Sequence, residues 1–343
     1  MAKNYKFIIE GTSSRAPGKS PKKPKPIPLD KHGNPKKPPK KYDRHAPKPP
    51  PSAEVLETAA MLDRLYMKPT FPEKLPPDFE ILSTIRYDPK LTALPPETFE
   101  QIVPDNFFLI RAHIRRLIFT FQYFQRYSGL EIIEFDVSPE FLSEQLVEAI
   151  KRDGKPVYLP LKLRLLMTLD GTVKVEVHET PVRENLLYGL ISPESQLIET
   201  NSIDTAFDLP TLDEGVVWDV YIDKQFTPMS PFTSFKTTHR NAYNDARART
   251  LPGKSSHEEV LMHNPEKCVM EGSITNIAVR DEKHNIWVTP RLSSGCLCGT
   301  MRSLLLRKHF LYERVIKINE VKVGDDILLF NAIMGIVRGK IVG

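Results

Sequence analysis

The sequence predicts an α+β protein of two folded domains behind a disordered N-terminal tail. Three observations carry that expectation. Residues 11–52 hold 12 of the chain's 31 prolines together with 10 lysines, a composition that removes backbone donors and buries too little apolar surface to order itself. Strand, helix, helix and hairpin patterns follow one another between residues 79 and 177. A polar stretch at 193–213 separates them from a second series of strands and helices. The expected units are residues 1–52 as tail, 53–192 as a small α+β domain, and 193–343 as a larger α/β domain.

Charge is spread as unevenly as proline. The whole chain carries +5 at pH 7, residues 11–52 carry +10 and residues 53–343 carry −6. The pI near 8.9 therefore belongs to the tail, and a folded part with net negative charge does not read as a nucleic-acid binder. The lysine clusters at 22–25 and 36–41 suit a targeting address or polyanion contact, or simply a solvated extension. No run approaches the roughly 20 apolar residues of a membrane span. Phe7, Ile8 and Ile9 are too short a patch for a signal peptide. Three cysteines in 343 residues point to a reducing compartment. The cytoplasm is the expected location, with neither membrane nor nucleic acid as a partner.

Each element has its own signal. Val55, Leu56, Ala59, Leu62 and Tyr66 share one face of a short helix at 52–67. FEILSTIR at 79–86 reads as a strand, and Asp88-Pro89 opens a turn. Phe108, Ile110, His113, Ile114, Leu117, Phe121 and Phe124 recur at helical spacing over 105–127, behind Asp105 or Asn106 as cap. A second helix spans 137–153, with Ser138 as cap, Pro139 in the first position and Gly154 at the end. Alternating runs at 157–169 and 173–177 flank Asp170-Gly171, a hairpin signal. GVVWDVYID at 215–223 suits a buried strand and 237–249 a helix. Strands are expected at 274–279, 286–288, 315–318 and 327–330, and a helix at 299–311.

No metal site is expected. Cys296 and Cys298 form C-x-C without a second pair at zinc spacing. Dinucleotide, P-loop and nucleophile-elbow motifs are absent. Four other blocks stand in order: Lys236 in SFKTTHRNAYNDARAR, Glu271 in MEGSITNIA, WVTPRLSSGCLCGTMRSLLL at 287–306, and DDILLFNAIMGIVRG at 325–339. Lysine, E-G-x-x-x-N, T-P with G-x-x-R, then D-x-x-x-x-N resembles the fold type IV pyridoxal-phosphate enzymes, the class IV aminotransferase-like family with a D-amino acid aminotransferase-like fold. The resemblance runs from about residue 79 to the C-terminus. TPRL at 289–292, G-x-M-R at 299–302, the K-x-x-x-R of Lys236 and Arg240, and IRYDP at 85–89 are most similar to its 4-amino-4-deoxychorismate lyase branch, of fungal type.

That resemblance implies pyridoxal 5'-phosphate as cofactor and a role for each matching residue. Lys236 would attach the cofactor and act as the catalytic base. Glu271 would face its ring nitrogen, keeping the electron sink protonated. Arg116, in HIRRL at 113–117, would meet the phosphate with a guanidinium fork. Gly299, Thr300 and Met301 would offer a helix N-terminus to the same group, and Ser273, Ile274 and Thr275 a second set of amides. Met301 stands where several relatives have threonine. Tyr243 lies farther from the lysine than the tyrosine of relatives and is given no cofactor role.

The implied substrate, 4-amino-4-deoxychorismate, carries two carboxylates and requires cations. Arg164 and Lys162, on the first strand of the hairpin, are the leading substrate residues, with a solvent-facing edge charge as the alternative. Arg86 and Asn331 are further candidates. The family implies a homodimer. Two other readings share these residues: an amino acid aminotransferase of the same fold, and a catalytically silent relative that binds a partner through its basic tail.

Overall fold

The computed structural model describes residues 75–76, 78–128, 137–183, 186–187 and 216–343. The expected tail, the helix at 52–67 and the linker at 193–213 lie outside the described residues. Two sheets carry the rest. A three-stranded antiparallel sheet runs in the order β1 (Ile81–Tyr87), β2 (Leu161–Met167), β3 (Val173–Glu179). An eight-stranded mixed sheet has the order β6-β5-β4-β11-β10-β7-β8-β9. Its strands are β4 (Trp218–Ile222), β5 (Glu258–His263), β6 (Val269–Gly272), β7 (Asn276–Asp281), β8 (Ile286–Pro290), β9 (Leu311–Arg314), β10 (Asp326–Asn331) and β11 (Gly335–Ile341).

Helix α1 (Ile110–Ser128) packs on the small sheet, with Phe121 and Phe124 fully buried. It starts later than the periodicity predicts. Pro104–Asn106 forms a 3-10 turn, Phe107 bridges to Tyr87, Phe108 N donates to Arg86 O (2.8 Å), and Leu109 takes φ +58. Pairing these two phenylalanines with β1 overrides the helical pattern, so Asp105 caps no α-helix. Helix α2 (Pro139–Arg152) follows its signals: the Ser138 hydroxyl accepts from Phe141 N (3.0 Å), and Gly154 takes φ +66. The hairpin turns at Gly171, φ +88.

The large sheet is apolar on both faces. Ile327 and Leu329 join one core with Val220, Leu261 and Ile277, while Leu328 and Phe330 join another with Met301, Leu305 and Leu186. Helix α3 (Pro231–Ser234) and helix α4 (Asn241–Thr250) precede β5, and helix α5 (Thr300–Arg307) leads into β9. The helix expected at 299–311 is shorter because His309 takes φ +59 and β9 starts at Leu311. The strand expected at 315–318 is absent: β9 ends at Arg314, and residues 318–320 form a 3-10 turn. Among the described residues no helix is long and apolar enough to cross a membrane.

Arg86 ties the two sheets together. It is fully buried on β1. Its Nε donates to Asp88 (2.9 Å), its Nη1 to Ile333 O in the β10–β11 turn (3.0 Å), and its Nη2 to Pro181 O after β3 (3.0 Å). Every arm of the fork is committed, so Arg86 does not serve as the substrate cation the sequence suggested. Arg86→Met should destabilise the fold by about 3–5 kcal/mol, since it strands a buried carboxylate. Urea unfolding checks this; a loss under about 1 kcal/mol, the range of an ordinary surface change, would contradict it.

Candidate active site

The site forms where the segment after α3 meets the free edge of β1. Leu82 N donates to Lys236 O (2.9 Å), Thr238 N donates to Glu80 O (2.9 Å), and Thr237 opposes Ile81. These pairings hold residues 236–238 extended and delay α4 to Asn241, later than the expected start. The side-chain amine of Lys236 forms no hydrogen bond or ion pair among the described residues. Burial lowers its amine to about 7, and the charges of Arg116, Arg240 and Arg164 act in the same direction against that of Glu271. The uncharged, nucleophilic amine is thus well populated at neutral pH.

Glu271 lies buried on β6. Its Oε1 accepts from Tyr243 Oη (2.7 Å) and Leu297 N (3.0 Å), and its Oε2 from Asn276 Nδ2 (2.9 Å). Burial raises its carboxyl to about 7, while the Tyr243 and Leu297 bonds and the charges of Arg240 and Lys236 favour the ionised form. Asn276 Nδ2 also donates to Leu297 O (2.9 Å). The amide thus fastens the start of α5 to the carboxylate. A Cβ on Gly299 would sit 1.9 Å from Asn276 Oδ1, so only glycine permits this approach.

An anion cup adjoins. Gly299 is the cap of α5 and has no side chain to satisfy the first-turn amides. Thr300 and Met301 are buried in that turn. Arg116 has no carboxylate partner among the described residues. Its Nη2 makes only long bonds, to Ser83 Oγ (3.4 Å) and His113 Nδ1 (3.5 Å), and burial lowers it to about 10. The buried polar atoms without a hydrogen-bond partner among the described residues include His113 Nε2 and Thr237 Oγ1. Burial, then the charges of Arg116 and Lys236, hold His113 well below its usual range and keep it neutral. Open amides, an unpaired guanidinium and orphaned polar atoms around one amine fit a phosphate-bearing cofactor.

The structure brings Lys236, Glu271, Arg116, Gly299, Thr300 and Met301 together. It gives Ser273, Ile274 and Thr275 a different acceptor from the expected phosphate. The amides of Ser273 (2.9 Å) and Ile274 (3.1 Å) and the Thr275 hydroxyl (2.9 Å) all donate to Glu259, buried on β5. Asn331 is likewise engaged: its Nδ2 donates to Ile274 O (3.1 Å), and its Oδ1 accepts from Ile333 N and Met334 N. Arg164 pairs with Glu176 (2.6 Å) and Lys162 stands opposite Arg86. The sequence reading set Tyr243 aside and gave no role to Asn276 or Glu259. Asn276 closed the E-G-x-x-x-N motif and gave a usable signal. Glu259, at the head of an apolar strand, offered only the oddity of an acid inside a buried run.

The chain belongs to the class IV aminotransferase family, whose model matches residues 97–342. It is 32% identical over 272 residues to the aminodeoxychorismate lyase of Saccharomyces cerevisiae, covering 71% of this chain and 70% of that one. Solved structures share the fold. A provisionally named amino-acid aminotransferase from Mesorhizobium loti matches with a TM-score of 0.53 at 20% identity, over 77% of this chain and all of its own. A provisionally named 4-amino-4-deoxychorismate lyase from Legionella pneumophila matches with a TM-score of 0.51 at 16% identity, over 76% of this chain and 81% of its own.

Tyr243→Phe tests the Glu271 network. The carboxyl stretch of Glu271, taken as the infrared difference from Glu271→Gln, should titrate at about 7. It should move upward without the tyrosine, because the phenol's O–H stabilises the ionised form. An unmoved midpoint would show that Tyr243 does not hold the carboxylate.

Proposed function

We propose that the chain is a pyridoxal-phosphate-dependent aminodeoxychorismate lyase that converts 4-amino-4-deoxychorismate to 4-aminobenzoate and pyruvate. One observation carries the reading: a lysine amine lowered to about 7 stands in one site with a buried carboxylate and an open anion cup. The yeast relative's name supports the lyase over the aminotransferase. A homodimer belongs to the same reading and rests on family resemblance, and a cytoplasmic location rests on the scarcity of cysteine.

The residues present fit the cofactor. Lys236 would hold it covalently, Glu271 would face its ring nitrogen, and Arg116 with the Gly299–Thr300–Met301 turn would hold its phosphate. Bound there, pyridoxal phosphate supplies an electron sink for the bonds next to the substrate amine. Glu271, fixed by Tyr243, Asn276 and the Leu297 amide, supplies a preorganised negative charge. Ser273, Ile274 and Thr275 serve the site indirectly, as a loop that Glu259 keeps rigid. Once the substrate amine displaces it from the cofactor, Lys236 Nζ would be a free amine, uncharged near neutral pH, and would take the ring proton whose loss completes aromatisation. The ring C–O bond breaks as that C–H bond does, and the enolpyruvyl group leaves, gains a proton and becomes pyruvate. Arg164 offers a cation for a substrate carboxylate.

Incubation of the reconstituted protein with 4-amino-4-deoxychorismate should release 4-aminobenzoate and pyruvate in equal amounts. Amino transfer to 2-oxoglutarate without pyruvate release would overturn the lyase in favour of the aminotransferase. Glu271→Gln should retain cofactor and lose turnover by 100-fold or more, about 2.7 kcal/mol of barrier, because its charge matters most in the transition state. Arg116→Ala should instead lose cofactor, with activity partly restored by excess pyridoxal phosphate. Turnover of Glu271→Gln within a few-fold of the parent would remove Glu271 from the ring-facing role.

A further inference from the structure

We infer that Ser83 and His113 are positioning residues for Arg116, an uncharged pair that holds its guanidinium in the anion cup without neutralising it. The inference rests on the cofactor reading and adds to it what lets the site prefer a phosphorylated cofactor.

Two packed elements supply the three groups. Ser83 lies on β1, and His113 and Arg116 lie on α1, which packs on that strand. Residues three apart share a helix face, so His113 and Arg116 approach β1 together. Ser83 and His113 are fully buried. Ser83 Oγ and His113 Nδ1 stand 2.8 Å apart, the tight contact of the cluster. Arg116 Nη2 lies 3.4 Å from that hydroxyl and 3.5 Å from that ring nitrogen. The guanidinium makes no other hydrogen bond among the described residues, so Ser83 and His113 alone direct it.

Proton placement follows from the arginine, which can only donate. A hydrogen on His113 Nδ1 would point a second donor at the guanidinium. Nδ1 therefore accepts from the Ser83 hydroxyl, and Ser83 Oγ accepts from Arg116. The imidazole hydrogen then sits on Nε2, which is buried without a hydrogen-bond partner among the described residues. Buried polar atoms ordinarily find one; here the ring forgoes that bond and keeps Nδ1 for Ser83. Charge completes the argument. Burial, then the charges of Arg116 and Lys236, hold His113 well below its usual range, so it adds no further cation. A carboxylate in its place would grip Arg116 more strongly but would cancel the charge an incoming phosphate needs. The neutral pair fixes direction and leaves that charge, with Nε and Nη1 uncommitted.

The test compares pyridoxal phosphate with pyridoxal, which lacks only the phosphate. Full-length protein stripped of cofactor is titrated with each and binding is read from absorbance, so activity does not enter. The parent should prefer pyridoxal phosphate strongly. Ser83→Ala and His113→Leu should each cut that preference about tenfold, roughly 1.4 kcal/mol, and leave pyridoxal affinity within about twofold. His113→Asn, whose amide oxygen can accept in place of Nδ1, should restore part of it. In Arg116→Ala protein, adding Ser83→Ala should change nothing further, because the pair acts through the arginine. Ser83→Ala removes one oxygen and carries the test by itself if His113→Leu does not fold. A preference kept in Ser83→Ala, equal weakening of both ligands, or a full serine effect without Arg116 would each overturn the inference and leave the cofactor reading standing. A parent that binds both ligands equally would overturn the phosphate cup, and the inference with it.

Discussion

The site depends on one buried carboxylate and the three donors that grip it. Left unpaired, an ionised glutamate at that depth would be prohibitively costly. Tyr243 from α4, Asn276 from β7 and the amide of Leu297 ahead of α5 make it tolerable. Those three elements come from separate stretches of sequence, so holding Glu271 also fixes the position of each. The start of α5, and with it the anion cup, is set by the same asparagine that holds the carboxylate. Charge placement and backbone placement are one constraint here, which is the condition for preorganised electrostatics.

A second buried acid extends that order. Glu259 receives the amides and hydroxyls of the 273–275 loop, and Arg247 lies 3.4 Å from it. Gly272 lets that loop close, since a Cβ there would fall 2.3 Å from Thr275 Oγ1. From Ile274 the connection passes through Asn331 to the β10–β11 turn, and from Ile333 through Arg86 to β1. Strand β1, which pairs with the β2 strand of Arg164 and Lys162, is therefore tied by hydrogen bonds to the loop that follows Glu271. A shift of the small sheet would therefore act on that loop as well.

How much of this the sequence disclosed depends on what each residue touches. Lys236, Glu271, Arg116 and the glycine-led helix start stood out because local motifs carry them, and the structure gathers them. Ser273, Ile274 and Thr275 were read as phosphate donors because their partner, Glu259, lies 14 to 16 residues upstream with no motif to join them. Arg86 and Asn331 look like free polar groups in the sequence. Their acceptors are backbone carbonyls brought close only by folding, and no pattern marks a carbonyl. Strands β5 and β6 went unread because both of their faces are covered, which erases the alternation that reveals a strand. The late start of α1 has a similar origin, since the pairing of Phe107 with β1 is a tertiary preference that periodicity does not contain.

The central claim is that Lys236 is the amine that holds the cofactor, made reactive by burial beside Arg116 and Arg240. Borohydride reduction of the protein loaded with pyridoxal phosphate, followed by digestion and mass spectrometry, tests it most directly. The account predicts one modified lysine, in the peptide that contains Lys236, and no modification in Lys236→Ala. A reduced adduct on another lysine, or an unmodified Lys236 in protein that retains the cofactor, would contradict it.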